Sequence, residues 1–243
     1  MKESNKVIQW IKDYFETNGK GCKAVVGISG GTDSSVVAAL LVKALGKENV
    51  IGIMMPNGVQ HDIDVSLALV KLLYIPHYTI NIASPVNAMK EEIEKVTGID
   101  TSDKPIYYTN TPARIRMSVL YGVSALIGGR VANTCNLSED YVGYSTKFGD
   151  AAGDFSPISS FTKTEVRELG RELGLPKEFV EKIPEDGMSG LSDEEKLGFT
   201  YAELDRYIRT GEIDDLAKKE KIERLHKANL HKILPMPRYE KEQ

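Results

Sequence analysis

The chain has 243 residues, 41% of them hydrophobic and 27% charged, with a formal net charge of −4. At roughly 150 residues per domain this is one large domain or two small ones, long enough to bury a sizeable core. The acidic balance argues against a broad polyanion-binding surface, so a nucleic-acid partner is not expected. The longest apolar run, Val36–Val42, falls far short of the roughly 20 residues of a membrane span. The N-terminus, MKESNKVIQWIKDYF, mixes charges into its apolar positions and has no signal-peptide core. Two cysteines, Cys22 and Cys135, are too few for a zinc cluster or a disulfide scaffold. A reducing, cytoplasmic setting is the default expectation.

Val7, Ile8, Ile11, Tyr14 and Phe15 fall at helical spacing and predict an amphipathic helix over 4–17. A short apolar strand follows at 24–28, then an apolar helix over 34–45 closed by Gly46. A second strand runs over 50–55 to the turn signal Pro56-Asn57-Gly58. A helix over 62–74 starts from Asp62 as N-cap. A strand at 78–82 and a helix at 85–97 come next. The stretch 98–111 reads as a loop, and Pro112 as the first turn of a helix over 113–127. A strand at 130–134 leads into a long Gly/Ser/Asp-rich segment, 136–161. Short helices fill the rest, at 162–173, 176–182, 192–197, 200–209 and 214–232. Apolar strands alternating with helices predict an α/β, doubly wound, mainly parallel sheet, Rossmann-like, with helices on both faces and a helical C-terminal segment. Such sheets bind ligands beyond the carboxyl ends of their strands.

The turn after the first strand is Gly27-Ile28-Ser29-Gly30-Gly31-Thr32-Asp33-Ser34. Its glycines let the backbone approach a ligand, and the helix that follows offers free N–H groups to a phosphate. Ser29, Thr32 and Ser34 add hydroxyl donors. Asp33 would repel phosphate unless it holds a Mg²⁺ ion bridging to phosphate oxygens. The turn has no P-loop lysine and lacks the glycine spacing of a dinucleotide fingerprint.

Residues 29–34 resemble the S-G-G-x-D-S loop of the ATP pyrophosphatase (PP-loop) superfamily, whose members cleave ATP between the α and β phosphates and adenylate a substrate. Further segments, in register from residue 5 to about 239, resemble the NAD synthetases of that group. They are Met55-Pro56-Asn57-Gly58-Val59-Gln60, Ala113-Arg114-Ile115-Arg116-Met117 and Asn136-Leu137-Ser138-Glu139. Thr146-Lys147-Phe148-Gly149-Asp150, with Asp154 beyond it, and Lys163-Thr164-Glu165-Val166-Arg167 continue the series, as do Asp193 to Asp205 and His231-Lys232.

The resemblance implies one domain over 1–243, with a nucleotide-binding core at about 22–175 and a helical tail from about 176. It implies an ammonia-dependent ligase that converts deamido-NAD to NAD through an acyl-adenylate, releasing AMP and pyrophosphate. ATP would meet residues 27–34, Gln60, Thr134 and Lys163. Mg²⁺ would lie on Asp33 and Glu139. Deamido-NAD would meet Arg114, Lys147, Asp154, His231 and Lys232. Asp150 and Lys163 would serve the chemistry, Asp150 near ammonia. Lys163 and Arg114 each stand just inside a predicted helix start, where a cation opposes the helix dipole and suits an anionic partner. A homodimer is also implied, with the helices at 4–17 and 113–127 as candidate surfaces.

The chain departs from the family pattern at Met54, where an arginine often stands, and at Glu185, where Ser or Thr often follows the proline. Another PP-loop adenylating enzyme, tRNA-thiolating or nucleotide-amidating, is the alternative within the fold. Outside it stands a nucleotide-binding module without turnover. Residues 218–243 carry eight Lys/Arg against four Asp/Glu, a run that is usually a solvated helix face but could be a local phosphate or RNA patch.

Overall fold

A computed structural model describes residues 2–60, 63–181 and 192–241. Four short strands form one parallel sheet: β1 (Lys23–Gly27), β2 (Val50–Met54), β3 (His77–Thr79) and β4 (Gly129–Ala132), in the order β3-β2-β1-β4. Val25 pairs with Ile51 on one side and with Val131 on the other. The chain leaves β1 in one direction to build β2 and β3, then returns to lay β4 on the opposite flank. The crevice between the carboxyl ends of β1 and β4 is therefore the point where strand order reverses, the place where open α/β sheets bind ligands.

Alternate residues of β1 serve opposite faces, as strand geometry requires. Ala24 and Val26 pack with α1 (Glu3–Asn18), α2 (Thr32–Leu45), α3 (Ile63–Leu73) and α7 (Lys163–Glu172). Val25 faces the other way, toward Val86 of α4 (Ala83–Thr97) and Met117 and Leu120 of α5 (Pro105–Ile127). A third cluster joins α6 (Leu137–Val142), α9 (Asp193–Leu197), α10 (Tyr201–Thr210) and α11 (Leu216–Ile233) around Tyr201, Leu204 and Ile222. Helix α8 (Lys177–Val180) rests on α2 and α7.

Several boundaries differ from those the sequence predicts. The stretch 98–111 is not all loop: α5 begins at Pro105 and carries Pro112 inside it, so Arg114 stands well within the helix and not at its start, and the dipole gives no reason for an anion there. Pro105 already occupies the favoured first position, and Pro112 costs one backbone bond without stopping the helix. The segment 136–161 contains α6, too short to show an apolar period. Strand β3 ends at Thr79, although the amides of Ile80 and Ile82 still donate to Met54 and Pro56 carbonyls at 2.9 and 2.8 Å. The stripe on α1 is not a free surface, since Val7, Ile11 and Phe15 are buried in the main core. Asp62, expected to cap α3, and Glu185 lie outside the described residues.

Candidate active site

At the tip of β1 the chain turns sharply into α2. Gly30 sits at φ +77°, and a Cβ there would lie 3.0 Å from Ser66 Oγ and 3.3 Å from its amide nitrogen. Only glycine meets both demands cheaply. The loop's hydroxyls are turned inward. Thr32 Oγ1 donates to the Val180 carbonyl at 3.3 Å, and Ser34 Oγ to the Gly31 carbonyl at 3.1 Å. Ser29 Oγ accepts the Gly31 amide at 3.2 Å. No side chain caps α2, so its first-turn amides are the donors this loop offers an anion.

Asp33, in that first turn, faces the far side of the crevice. Asn136, the N-cap of α6, donates to Asp33 Oδ1 at 3.0 Å while its own oxygen accepts the Glu139 amide at 3.0 Å. One asparagine thus ties the Asp33 carboxylate to the Glu139 backbone across the sheet's switch point. Lys163, the first residue of α7, places its ammonium between them, against Asp33 and 3.1 Å from Glu139 Oε1. Its side chain is 3% exposed. Burial pulls the ammonium's pKa down, and the two carboxylates more than reverse that, holding it above the ordinary lysine value. Burial pushes Glu139 up to about 7, against the opposing pull of Lys163. The Tyr201 ring packs against the ammonium, its centroid 5.4 Å from Lys163 Nζ.

The donor set fits a hard divalent cation. Asp33 and Glu139 already converge on one positive charge, and among the described residues no cluster of three His, Cys, Asp or Glu side chains could hold a metal. Two carboxylates completed by water and phosphate oxygens are a usual Mg²⁺ set.

A second group lies beyond β4, where Lys147, Asp154 and Lys232 line two adjoining cavities of about 240 and 280 Å³ that share Ala151, Gly153 and Lys232, while Arg114, Asp150 and His231 belong to neither lining. Lys232 donates to the Gly143 carbonyl at 2.7 Å, and burial lowers its pKa against the pull of Asp150. Lys147 reaches the His231 carbonyl, and Arg114 Nε the Lys147 carbonyl at 3.3 Å. His231 is exposed, with Nδ1 3.1 Å from the Ala228 carbonyl. Asp154 takes the Val131 amide at 2.7 Å and the Tyr121 hydroxyl at 3.3 Å, which fixes it at the end of β4. Asp150 accepts the Thr146 amide at 2.9 Å. It retains solvent access, yet desolvation by the surrounding protein raises its pKa. Gln60, in the segment after β2, and Thr134, just past β4, are half-buried and lie outside both cavity linings.

Three residues join the site without having been singled out from sequence. Asn136 and Ser138 lie inside the N-x-S-E segment, where only the acid stood out. Arg116 anchors its Nε on the Met55 carbonyl at 3.0 Å, and burial lowers its pKa. A half-buried guanidinium at a strand tip is the signal, and burial is not written in a single sequence.

The family model described as NAD synthase matches residues 3–243. The chain belongs to the NAD synthase family. A relative from Alkaliphilus metalliredigens, an NH(3)-dependent NAD(+) synthetase, is 35% identical over 96% of this chain and 95% of its own length. Among solved structures, an NMN synthetase from Francisella tularensis superposes with a TM-score of 0.87 at 33% identity, covering 97% of this chain and 96% of that one. The NH3-dependent NAD synthetase from Campylobacter jejuni gives 0.77 at 30% identity, covering 98% and 97%. The fold expected from the strand–helix alternation is the fold of this family, and its members are ligases.

Proposed function

We propose that the chain is an ammonia-dependent NAD synthetase acting as one catalytic unit along its length. The observation that carries this is the Lys163 ammonium, buried between Asp33 and Glu139 directly across from the free amides of α2. A triphosphate laid on those amides brings its leaving pyrophosphate to the one buried cation of the cluster. Preorganised charge of this kind lowers the barrier because it needs no rearrangement as the transition state forms. Mg²⁺ on Asp33 and Glu139 would neutralise phosphate oxygens.

The acid substrate enters from the second group, where Lys147, Lys232 and Arg114 offer ammonium and guanidinium donors near Asp154. Its carboxylate oxygen attacks the α-phosphorus of ATP, and the bond to pyrophosphate breaks. Ammonia then attacks the acyl carbon, a C–N bond forms and AMP departs. Asp150, whose raised pKa brings it nearer neutrality, is placed to take the proton that the attacking nitrogen sheds. The tRNA-thiolating alternative loses support because Cys135 is buried with its thiol pushed well up by burial, a poor nucleophile. Two unpaired cysteines suit a cytoplasmic setting.

We also propose a homodimer, built on α4 and α5 rather than α1. Val96 is 72% exposed and Leu126 87%, with Met89, Ile93, Ile106 and Tyr121 also open. A monomer seldom leaves so many apolar side chains in water on neighbouring helices.

One observation favours a second acid. The higher of the two reported TM-scores belongs to an NMN synthetase, so the second acid to consider for this chain is the deamido mononucleotide. The deciding experiment supplies ATP, Mg²⁺ and ammonium with either acid and follows AMP. Turnover with deamido-NAD at the higher kcat/KM supports the main reading. Preference for the mononucleotide selects the second, and no AMP from either rejects both.

A further inference from the structure

The helices that carry Glu139 and Lys163 are fastened to each other by a residue of a third helix. Asp205 lies on α10 and is 6% exposed. Its Oδ1 accepts the Ser138 hydroxyl, and its Oδ2 accepts the Thr164 amide at 2.8 Å. Ser138 Oγ in turn accepts the Lys163 amide at 2.9 Å. Ser138 is fully buried and immediately precedes Glu139 on α6.

The first two amides of α7 therefore end on Ser138 and Asp205, while the third is served by the Thr162–Glu165 capping box. The division of labour matters. The capping box would be sufficient to start α7 as a helix. The Asp205–Ser138 pair adds no local helix signal; it connects α6 to α7. A carboxylate at this end of α7 also favours the helix dipole, which Lys163 at the same end opposes.

We propose that Asp205, acting through Ser138, is a positioning residue that fixes the spacing and register between Glu139 and Lys163. This rests on the proposed reading of those two residues as parts of the adenylation site. Asp205 itself does not reach the ammonium or the carboxylates, so its effect travels through the α6–α7 connection. Both oxygens are occupied by donors from the two helices, and neither is spent within α10.

The test uses the full chain and the variants Asp205→Asn, Ser138→Ala and the two combined. Thermal unfolding checks that each is folded, and AMP formation gives kcat and KM for ATP and the acid substrate. Each single variant should lower kcat by about tenfold or more, the scale of a small misplacement of reacting groups. KM for the acid substrate should stay within about twofold, since the groups proposed to hold it lie outside the α6–α7 link. The double variant should lose no more than the worse single, because the two residues act as one link. A folded Asp205→Asn with wild-type kcat overturns the proposal, and so do losses that multiply in the double variant. If Asp205→Asn does not fold, Ser138→Ala decides alone, and a wild-type kcat there overturns it. A wild-type chain that makes no AMP sinks the reading of the site and this link with it. An active wild type beside a normal Asp205→Asn sinks the link alone.

Discussion

Lys163 is the residue on which the charge balance of the crevice turns. Two acids face one buried cation, and the cation is the only member of the trio that both others touch. Replacing it by methionine keeps much of the bulk and removes the charge. Glu139 then faces Asp33 with nothing between them. Removing one partner of a buried ion pair costs roughly 3–5 kcal/mol where both acids are ionised. The sign of the pH effect follows from Glu139. Its pKa is raised when folded, so the folded chain holds a proton that the unfolded chain gives up between the ordinary glutamate range and about 7. Stability drawn from that proton grows as pH falls, and more so without Lys163. The gap in thermal midpoint between wild type and Lys163→Met, measured without divalent cation, should be widest near pH 8 and shrink toward pH 5.5. A gap that is flat over that range would mean the two acids do not sense each other. Turnover should fall by roughly a hundredfold or more, the usual scale for removing a preorganised charge stabiliser.

Among the elements, the junction of α6 and α11 shows how a short helix can control a binding residue. Gly143 ends α6 at φ +67°, and a Cβ there would lie 2.0 Å from Asn229 Cβ on α11. Its carbonyl also receives Lys232, and the neighbouring Val142 carbonyl receives Asn229 at 3.2 Å. Gly143→Ala must therefore push α11 outward and move Lys232 with it. The positive φ alone costs about 1–2 kcal/mol, and the displaced lysine should raise KM for the acid substrate several-fold while KM for ATP changes little. Steady-state kinetics with each substrate varied in turn checks this; an equal rise in both would place Lys232 elsewhere. None of this junction was legible in the sequence. Gly143 stands in a Gly/Ser/Asp-rich stretch that reads as loop, because a helix of six residues makes fewer than two turns and shows no period. The start of α5 was hidden for a related reason: Ile106 faces solvent at 69% exposure, so residues 105–111 carry no buried stripe to reveal them. What was legible is what burial and loop chemistry write directly. The apolar runs of β1, β2 and β4, the glycine turn after β1 with Asp33, and Lys163 at a helix start stood out by type and position, while Glu139 stood out only through the family resemblance. Their partners did not. Asn136, Ser138 and Asp205 act only through bonds across 103, 25 and 67 residues of chain, which no local pattern records.

At the scale of the molecule, the sheet has two covered faces of different character. On the α2 side the helices are themselves covered, α2 by α1, α7 and α8. On the other side α4 and α5 form the outer layer, and apolar side chains remain on it. Leu126 sits near the end of α5 at 87% exposure, close in sequence to Gly128, which ends the helix and leads straight into β4. Tyr121, on the same helix, donates to Asp154 at the substrate group. Tyr121 thus links the exposed apolar side of α5 to the residues proposed to hold the acid substrate. Pairing two copies on that side would cover the apolar patch and stiffen the helix that supports Asp154. Replacing Val96 and Leu126 together by glutamate adds two charges where an interface core tolerates few. Sedimentation should then report a species of 26.9 kDa rather than twice that mass. KM for the acid substrate should rise while thermal stability measured on the monomer stays near that of a dilute wild type, because neither side chain contributes to the core. A wild type that sediments at the single-chain mass across the micromolar range would show instead that the apolar layer meets no second copy.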